Sequence, residues 1–335
     1  MIEELTRAQY EAALRNDFAL FAARCFHQLN PQAELAMNWH LEVIAAKLTA
    51  VREGKIRRLI ICLPPRHLKS LMASIAFPAW LLGHNPSAQI LCVSYAQDLA
   101  DKLARDCRGI MIVPWYQRIF PTRLSAHRQA VQEFITTRQG YRLATSTGGV
   151  LTGRGADFIL IDDPLKPEDA LSKALRQACN EWFVHTLYSR LNDKRSGAIV
   201  IIMQRLHEDD LVGHVLGQEP WEVVSFPAIA EDDETIVVDS PMAALLRAPA
   251  RRGIAPGARA ALHARADPPH ARRITPRTLR SGGRRPVPAD AGAIGRRPGQ
   301  GGLVSALQCR RIARKIRAHR AELGRRQQGD RAQRF

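Results

Sequence analysis

Leu59-Ile60-Ile61-Cys62-Leu63-Pro64-Pro65-Arg66-His67-Leu68-Lys69-Ser70 sets the reading of the whole chain. Leu59 to Cys62 is an apolar run of strand length, and Leu71-Met72-Ala73-Ser74-Ile75-Ala76 beyond the turn is helix-like. A buried strand that enters a tight turn, ends it in Lys-Ser and opens a helix has the build of a phosphate-binding loop. Backbone N–H groups and the helix N-terminus face the anion, the Lys meets the β- and γ-phosphates, and the Ser hydroxyl ligates Mg²⁺. The usual spacing is G-x-x-x-x-G-K-[ST], and Leu63 and Leu68 stand at its two glycine positions. The loop alone leaves two readings open: a nucleotide site, or a buried strand whose Lys69 and Ser70 merely cap the next helix.

A second stretch decides between them. Phe158-Ile159-Leu160-Ile161 is another apolar run of strand length, and it closes on Asp162-Asp163. Two carboxylates at a strand end complete a nucleotide site, the first holding Mg²⁺ and the second polarising the attacking water. A solvated Asp-Asp at a turn is common, but paired with Lys69-Ser70 in one sheet it reads as the other half of an ATP site. Gln89-Ile90-Leu91-Cys92-Val93-Ser94 and Gly197 to Met203 supply two more buried strands. The spacing predicts helices over 4–30, from Pro31 to Gly54, from the loop to Leu82, over 97–112, over 167–191 and over 211–216. Strand and helix alternating at these lengths imply a parallel sheet covered on both faces. Pro114 to Pro121 reads as a turn region, and 131–136 with 141–145 as a hairpin.

Other residues carry competing roles. For Trp39 and His40, core packing outranks a ligand contact. Thr147 to Gly155 holds four glycines, the mark of a loop with unusual dihedrals or close backbone approach. Gln204 and Arg205 follow the 197–203 strand, where a sensor of the γ-phosphate would sit. His207 and Asp210 either join that chemistry or cap the helix from Leu211.

Composition divides the chain in two. Up to Ser240 there are 26 Lys and Arg against 28 Asp and Glu, whereas from Pro241 onward there are 23 against 4. Every Trp and Tyr and nine of the ten Phe precede residue 241, so the +17 net charge belongs to the tail and says nothing about the body. No C-x-x-C pair or secretory signal is present, which points to a reduced, cytosolic setting. No apolar run approaches the roughly 20 residues a membrane span needs. The expected organisation is an N-terminal helical segment over 1–55, a nucleotide-binding domain over 56–230 and a linker and tail over 231–335.

Pro64-Pro65-Arg66-His67-Leu68-Lys69-Ser70, Ser94-Tyr95, Leu151-Thr152-Gly153-Arg154-Gly155-Ala156-Asp157, Ile161-Asp162-Asp163-Pro164 and Gln204-Arg205-Leu206-His207-Glu208-Asp209-Asp210-Leu211 occur in that order. From about residue 35 to 230 the chain resembles the large terminase subunit of tailed bacteriophages and prophages. The resemblance implies an α/β P-loop fold of the RecA-like (ASCE) kind, with N-terminal helices, and an ATPase that pumps double-stranded DNA into a capsid. It implies ATP and Mg²⁺ as cofactors, a homo-oligomeric, pentameric ring on the portal protein, a small terminase subunit as partner, and the host cytoplasm as the setting. By the same likeness Arg66, His67, Leu68, Lys69 and Ser70 hold the phosphates, and Ser70 and Asp162 hold Mg²⁺. Asp163 activates water where the family more often has Glu, a reach shorter by one methylene, and Gln204 couples hydrolysis to movement. Arg66 is implied as a phosphate contact within the subunit and Arg154 as a finger to a neighbour's ATP.

Other P-loop nucleic-acid motors, such as helicases, are the alternative, but the motifs and stacking aromatics they need beyond residue 210 are missing. A third reading is an idle remnant whose tail binds nucleic acid through phosphates. Large terminases also carry a metal-dependent nuclease; after Ser240 only Asp267, Asp290, Glu322 and Asp330 are acidic, none ending an apolar strand-like run, so no nuclease is expected. Arg, Ala, Pro and Gly fill 61 of the last 95 positions. That composition predicts disorder, apart from a helix around 303–323. Arg outnumbers Lys by 22 to 1 there, and all four dominant residues have GC-rich codons, which favours a shifted reading frame over a basic arm.

Overall fold

The computed structural model describes residues 6–151 and 153–227. The expectations for the tail, its helix and the missing nuclease fall outside those residues. The first helices are α1 (Arg7–Asn16), α2 (Phe18–Leu29) and α3 (Trp39–Arg52). The single helix expected over 4–30 is broken at Asp17, whose extended backbone ends α1 and whose carboxylate accepts from the Leu20 amide at 3.1 Å to cap α2. A residue that competes for backbone donors in this way stops one helix and starts the next. The helix expected from Pro31 begins only at Trp39, after an extended Asn38.

The sheet strands are β1 (Arg58–Cys62), β2 (Gln89–Ser94), β3 (Leu124–Gln129), β4 (Glu133–Thr136), β5 (Tyr141–Ser146), β6 (Phe158–Asp162), β7 (Ala198–Met203) and β8 (Glu222–Ser225). Their spatial order is β3-β4-β5-β2-β6-β7-β1-β8. The pairs β4·β5 and β3·β4 are antiparallel and the rest parallel. Strand β7 thus lies between the strand that feeds the Lys69 loop and the strand that ends in Asp162. The register Asp162↔Ile202 and Cys62↔Met203 brings the carboxyl ends of all three to one rim.

The sheet is buried on both faces, which is why its central strands read as unbroken apolar runs. Leu59 and Ile61 point into one core with Phe18, Phe21, Ile44, Phe77, Trp80 and Phe120. Ile60 and Cys62 point into the other with Ile161, Phe183, Leu187 and Leu211. The N-terminal helices share the first of these cores, so residues 6–55 contribute to the same packing as the sheet. Between β2 and β3 lie α5 (Gln97–Ile112) and α6 (Pro114–Ile119). The region read as a turn is therefore helical, because Pro114 enters at the first helical position, where its missing N–H costs nothing.

The helix expected over 167–191 is subdivided. A 3₁₀ turn at Asp169–Leu171 precedes α7 (Lys173–Trp182), capped by Ser172, and a π turn at Phe183–Leu187 follows. The hairpin forms as β4 and β5, whereas the edge strands β3 and β8 are additional. In β8 only Val224 is buried, and a single inward residue leaves little alternation to detect. No helix among the described residues is long and apolar enough to cross a membrane.

Candidate nucleotide site

The loop after β1 turns without glycine. Arg66 and Leu68 take left-handed φ values of 63° and 61° while His67 between them does not, an alternation that points successive amides into one concavity, the nest used to bind anions. Leu68 thus adopts the conformation for which the usual pattern supplies glycine, at a cost of about 1 kcal/mol for an L side chain. Arg66 and His67 are exposed and Lys69 is buried. The His67 ring meets the Pro65 carbonyl oxygen at 2.8 Å.

Lys69 crosses the rim to Asp163, its Nζ lying 2.7 Å from Oδ2 and 2.8 Å from Oδ1. Asp163 is itself left-handed, at φ 46°, a sparsely populated state that persists only where surroundings dictate it. Its amide donates to the Ile202 carbonyl, its carbonyl accepts from the Tyr95 amide, both at 3.0 Å, and its Oδ1 accepts from the Gln204 amide at 3.1 Å. The strand ends of β2, β6 and β7 therefore converge on one residue, its backbone held by the first and last and its carboxylate by the Gln204 amide.

Asp162 is only 1% exposed. Its Oδ2 accepts from the Ser74 hydroxyl at 2.7 Å, whereas the equally buried Oδ1 has no hydrogen-bond partner among the described residues. Burial above all, and next the Asp163 charge, push its carboxyl up to about 6, against the pull of Ser74, Ser70 and Lys69. A buried carboxylate oxygen left unpartnered beside a Ser hydroxyl at a helix start suits a hard cation completed by phosphate oxygens. Among the described residues there is no group of three or more His, Cys, Asp or Glu that could hold a metal ion by itself.

The rest of the expected set divides. Gln204 reaches the site through its amide. Arg205 folds away, donating from Nε to Asp210 Oδ2 at 2.9 Å. Asp210 caps α8 (Leu211–Leu216) by accepting from the Gly213 amide at 3.1 Å and takes the Leu206 amide at 3.2 Å; of its two readings, the cap is the one the geometry displays. Arg154 is not gathered here. Its Nη2 pairs with Glu133 Oε2 at 2.7 Å and its guanidinium lies over the Tyr141 ring, toward the amino ends of β5 and β6 and the opposite rim from Lys69. Trp39 is not a core residue either. It is 49% exposed and packs edge-on with Phe226, which also meets His40, and His40 in turn meets His67 of the loop. Burial and then His67 hold the His40 imidazole below its usual range.

Ser74 was not among the expected site residues. The signal was present, since Ser74 follows Ser70 by four positions and hence one helical turn. Arg142, wholly buried in β5, had no such signal, because its partner is a backbone carbonyl.

A parallel sheet with a strand–nest–helix loop at its carboxyl rim, facing a buried strand-end carboxylate, defines an α/β domain of phosphate-binding build. The chain belongs to the large terminase subunit family: residues 60–248, more than half of its length, match the family model for the terminase large subunit, T4likevirus-type, N-terminal. Among solved structures it is similar to the HK97 bacteriophage large terminase, at 15% identity and a TM-score of 0.40, with 62% of this chain and 42% of that one covered. It is also similar to the Thermus phage P74-26 large terminase ATPase domain, at 16% identity and a TM-score of 0.34, with 54% of this chain and 68% of that one covered. The chain thus spans under half the length of the HK97 protein it matches. No curated protein sequence matches it.

Proposed function

We propose that this chain is the ATP-hydrolysing motor of viral DNA packaging. The observation that supports it most is the convergence of Lys69, Asp163 and the unpartnered Oδ1 of Asp162 at one rim, below an anion nest. Lys69 and the amides of Arg66 to Ser70 bind the β- and γ-phosphates, with Arg66 as a contact from the same subunit. Ser70 and Asp162 hold Mg²⁺, which when bound neutralises charge developing on the phosphates. Asp163 accepts the proton of the attacking water, and Gln204, joined to Asp163 through its amide, relays the state of the site to the β7 tip. Phosphoryl transfer needs little covalent assistance and much placed charge, and this set supplies it. Arg154, remote from its own subunit's site, is assigned to a neighbour's ATP in a homo-oligomeric ring.

By the same reading the substrate track is double-stranded DNA and the partners are the portal protein and the small terminase subunit, met in the host cytoplasm. No metal-dependent cleavage of DNA is expected. The test is ATP hydrolysis by the full chain with and without linear double-stranded DNA. Stimulation by DNA that vanishes in Lys69→Ala supports the reading, and a rate indifferent to Lys69→Ala rejects it.

A further inference from the structure

Pro78 lies four residues beyond Ser74, and a proline has no N–H with which to bond the carbonyl of the residue four before it. The helix that leaves the Lys69 loop accommodates this with a π turn over Leu71–Ala76 before α4 (Phe77–His84), and the Phe77 amide reaches back five residues to the Met72 carbonyl. The Ser74 carbonyl, to which Pro78 can offer no N–H, accepts from Arg142 Nη2 at 3.1 Å. Arg142 comes from β5, paired with Ile90 and Phe134 on either side.

Arg142 is fully buried, and its Nε and Nη1 have no hydrogen-bond partner among the described residues. The groups it lies near include the buried thiols of Cys92 and Cys107. An ion so placed is expensive, and an apolar side chain of similar size would serve packing alone better. Among the described residues its one side-chain hydrogen bond goes to the residue whose hydroxyl holds Asp162 Oδ2. The bond thus fixes the helical turn that aims Ser74 Oγ.

We propose that Arg142 is a positioning residue of the nucleotide site: by gripping the Ser74 carbonyl that Pro78 leaves free, it holds the Ser74 hydroxyl against Asp162 and aims Asp162 Oδ1 at the cation. This rests on the proposed ATP–Mg²⁺ site. Groups that orient a metal ligand in this way typically change metal affinity by about 10- to 100-fold when removed.

The test uses the full chain with Mn²⁺ as probe, titrated by electron paramagnetic resonance in the presence of a non-hydrolysable ATP analogue. Binding of the analogue without metal and the thermal midpoint are read in parallel. Arg142→Met should weaken Mn²⁺ binding by about tenfold while leaving metal-free analogue binding unchanged, and Arg142→Gln, which keeps a donor without the charge, should recover most of it. Adding Pro78→Ala to Arg142→Met returns an amide to the Ser74 carbonyl and should also recover affinity. Wild-type Mn²⁺ affinity in Arg142→Met, or Gln and Met behaving alike, overturns the proposal. If Arg142→Met does not fold, Ser74→Ala decides, because unchanged Mn²⁺ affinity there removes the link through which Arg142 acts. Asp162→Asn separates the two readings. If it too leaves Mn²⁺ binding intact, the site itself is misassigned, whereas loss in Asp162→Asn alone rejects only the role of Arg142.

Discussion

Lys69 Nζ lies within 2.8 Å of both carboxylate oxygens of Asp163, a residue 94 positions away in the chain. The pair joins the phosphate loop to the end of the carboxylate strand across β7. Replacing Lys69 by Ala removes the ammonium from both phosphate and Asp163, so ATP hydrolysis should fall by more than about 10²-fold, the scale for losing one preorganised charge at a developing anion. Phosphate release measures the loss, and an unchanged circular dichroism spectrum shows that the fold survives.

Asp162 makes stability depend on pH in a direction opposite to that of a salt-bridged carboxylate. Its carboxyl is raised from 3.8 to about 6 in the fold, so between those values the folded state binds more protons than the unfolded one. Stability is therefore fully present below pH 4 and declines as pH rises through about 6, by about 3 kcal/mol for a shift of this size. Asp162→Asn should remove this component and raise metal-free stability at pH 7, while abolishing ATP hydrolysis. Urea unfolding of the two proteins at pH 4 to 7 without Mg²⁺ provides the comparison, and parallel pH profiles would contradict the assignment.

Arg66 is exposed with φ at 63°, and its glycine variant isolates chemistry from conformation. Glycine relieves left-handed strain of about 1 kcal/mol but loses a similar amount through the greater freedom of the unfolded chain. The thermal midpoint of Arg66→Gly should stay near that of the parent. Hydrolysis should still drop about tenfold, as for one charge-assisted hydrogen bond to phosphate. Unchanged turnover would remove Arg66 from the phosphate contacts.

Arg154 and Glu133 form a pair that is partly exposed on the arginine side, worth at most about 1 kcal/mol. Arg154→Ala should therefore shift the unfolding midpoint little and leave nucleotide binding by isolated subunits intact. Turnover in assembled rings should fall on the order of 10³-fold, as when an arginine finger is lost. An equal loss in monomers would reject action across the subunit boundary.

Much of this protein is local enough to be legible in its sequence. The strands β1, β2, β6 and β7 are continuous apolar runs because both faces of the sheet are covered. Helix α5 is evident from its period, and the termini of β1 and β6 announce Lys69, Ser70, Asp162 and Asp163 through polar residues placed where an apolar run stops. The tertiary structure decided what depends on partners distant in sequence. The strands β3 and β8 form only because a neighbouring edge offers hydrogen bonds. Arg154 lies at the far rim because the chain between β5 and β6 must return to the start of a parallel strand. Ser74 and Arg142 meet the site because a proline frees a carbonyl that only another strand can reach, and residue types alone do not record where a backbone carbonyl will point.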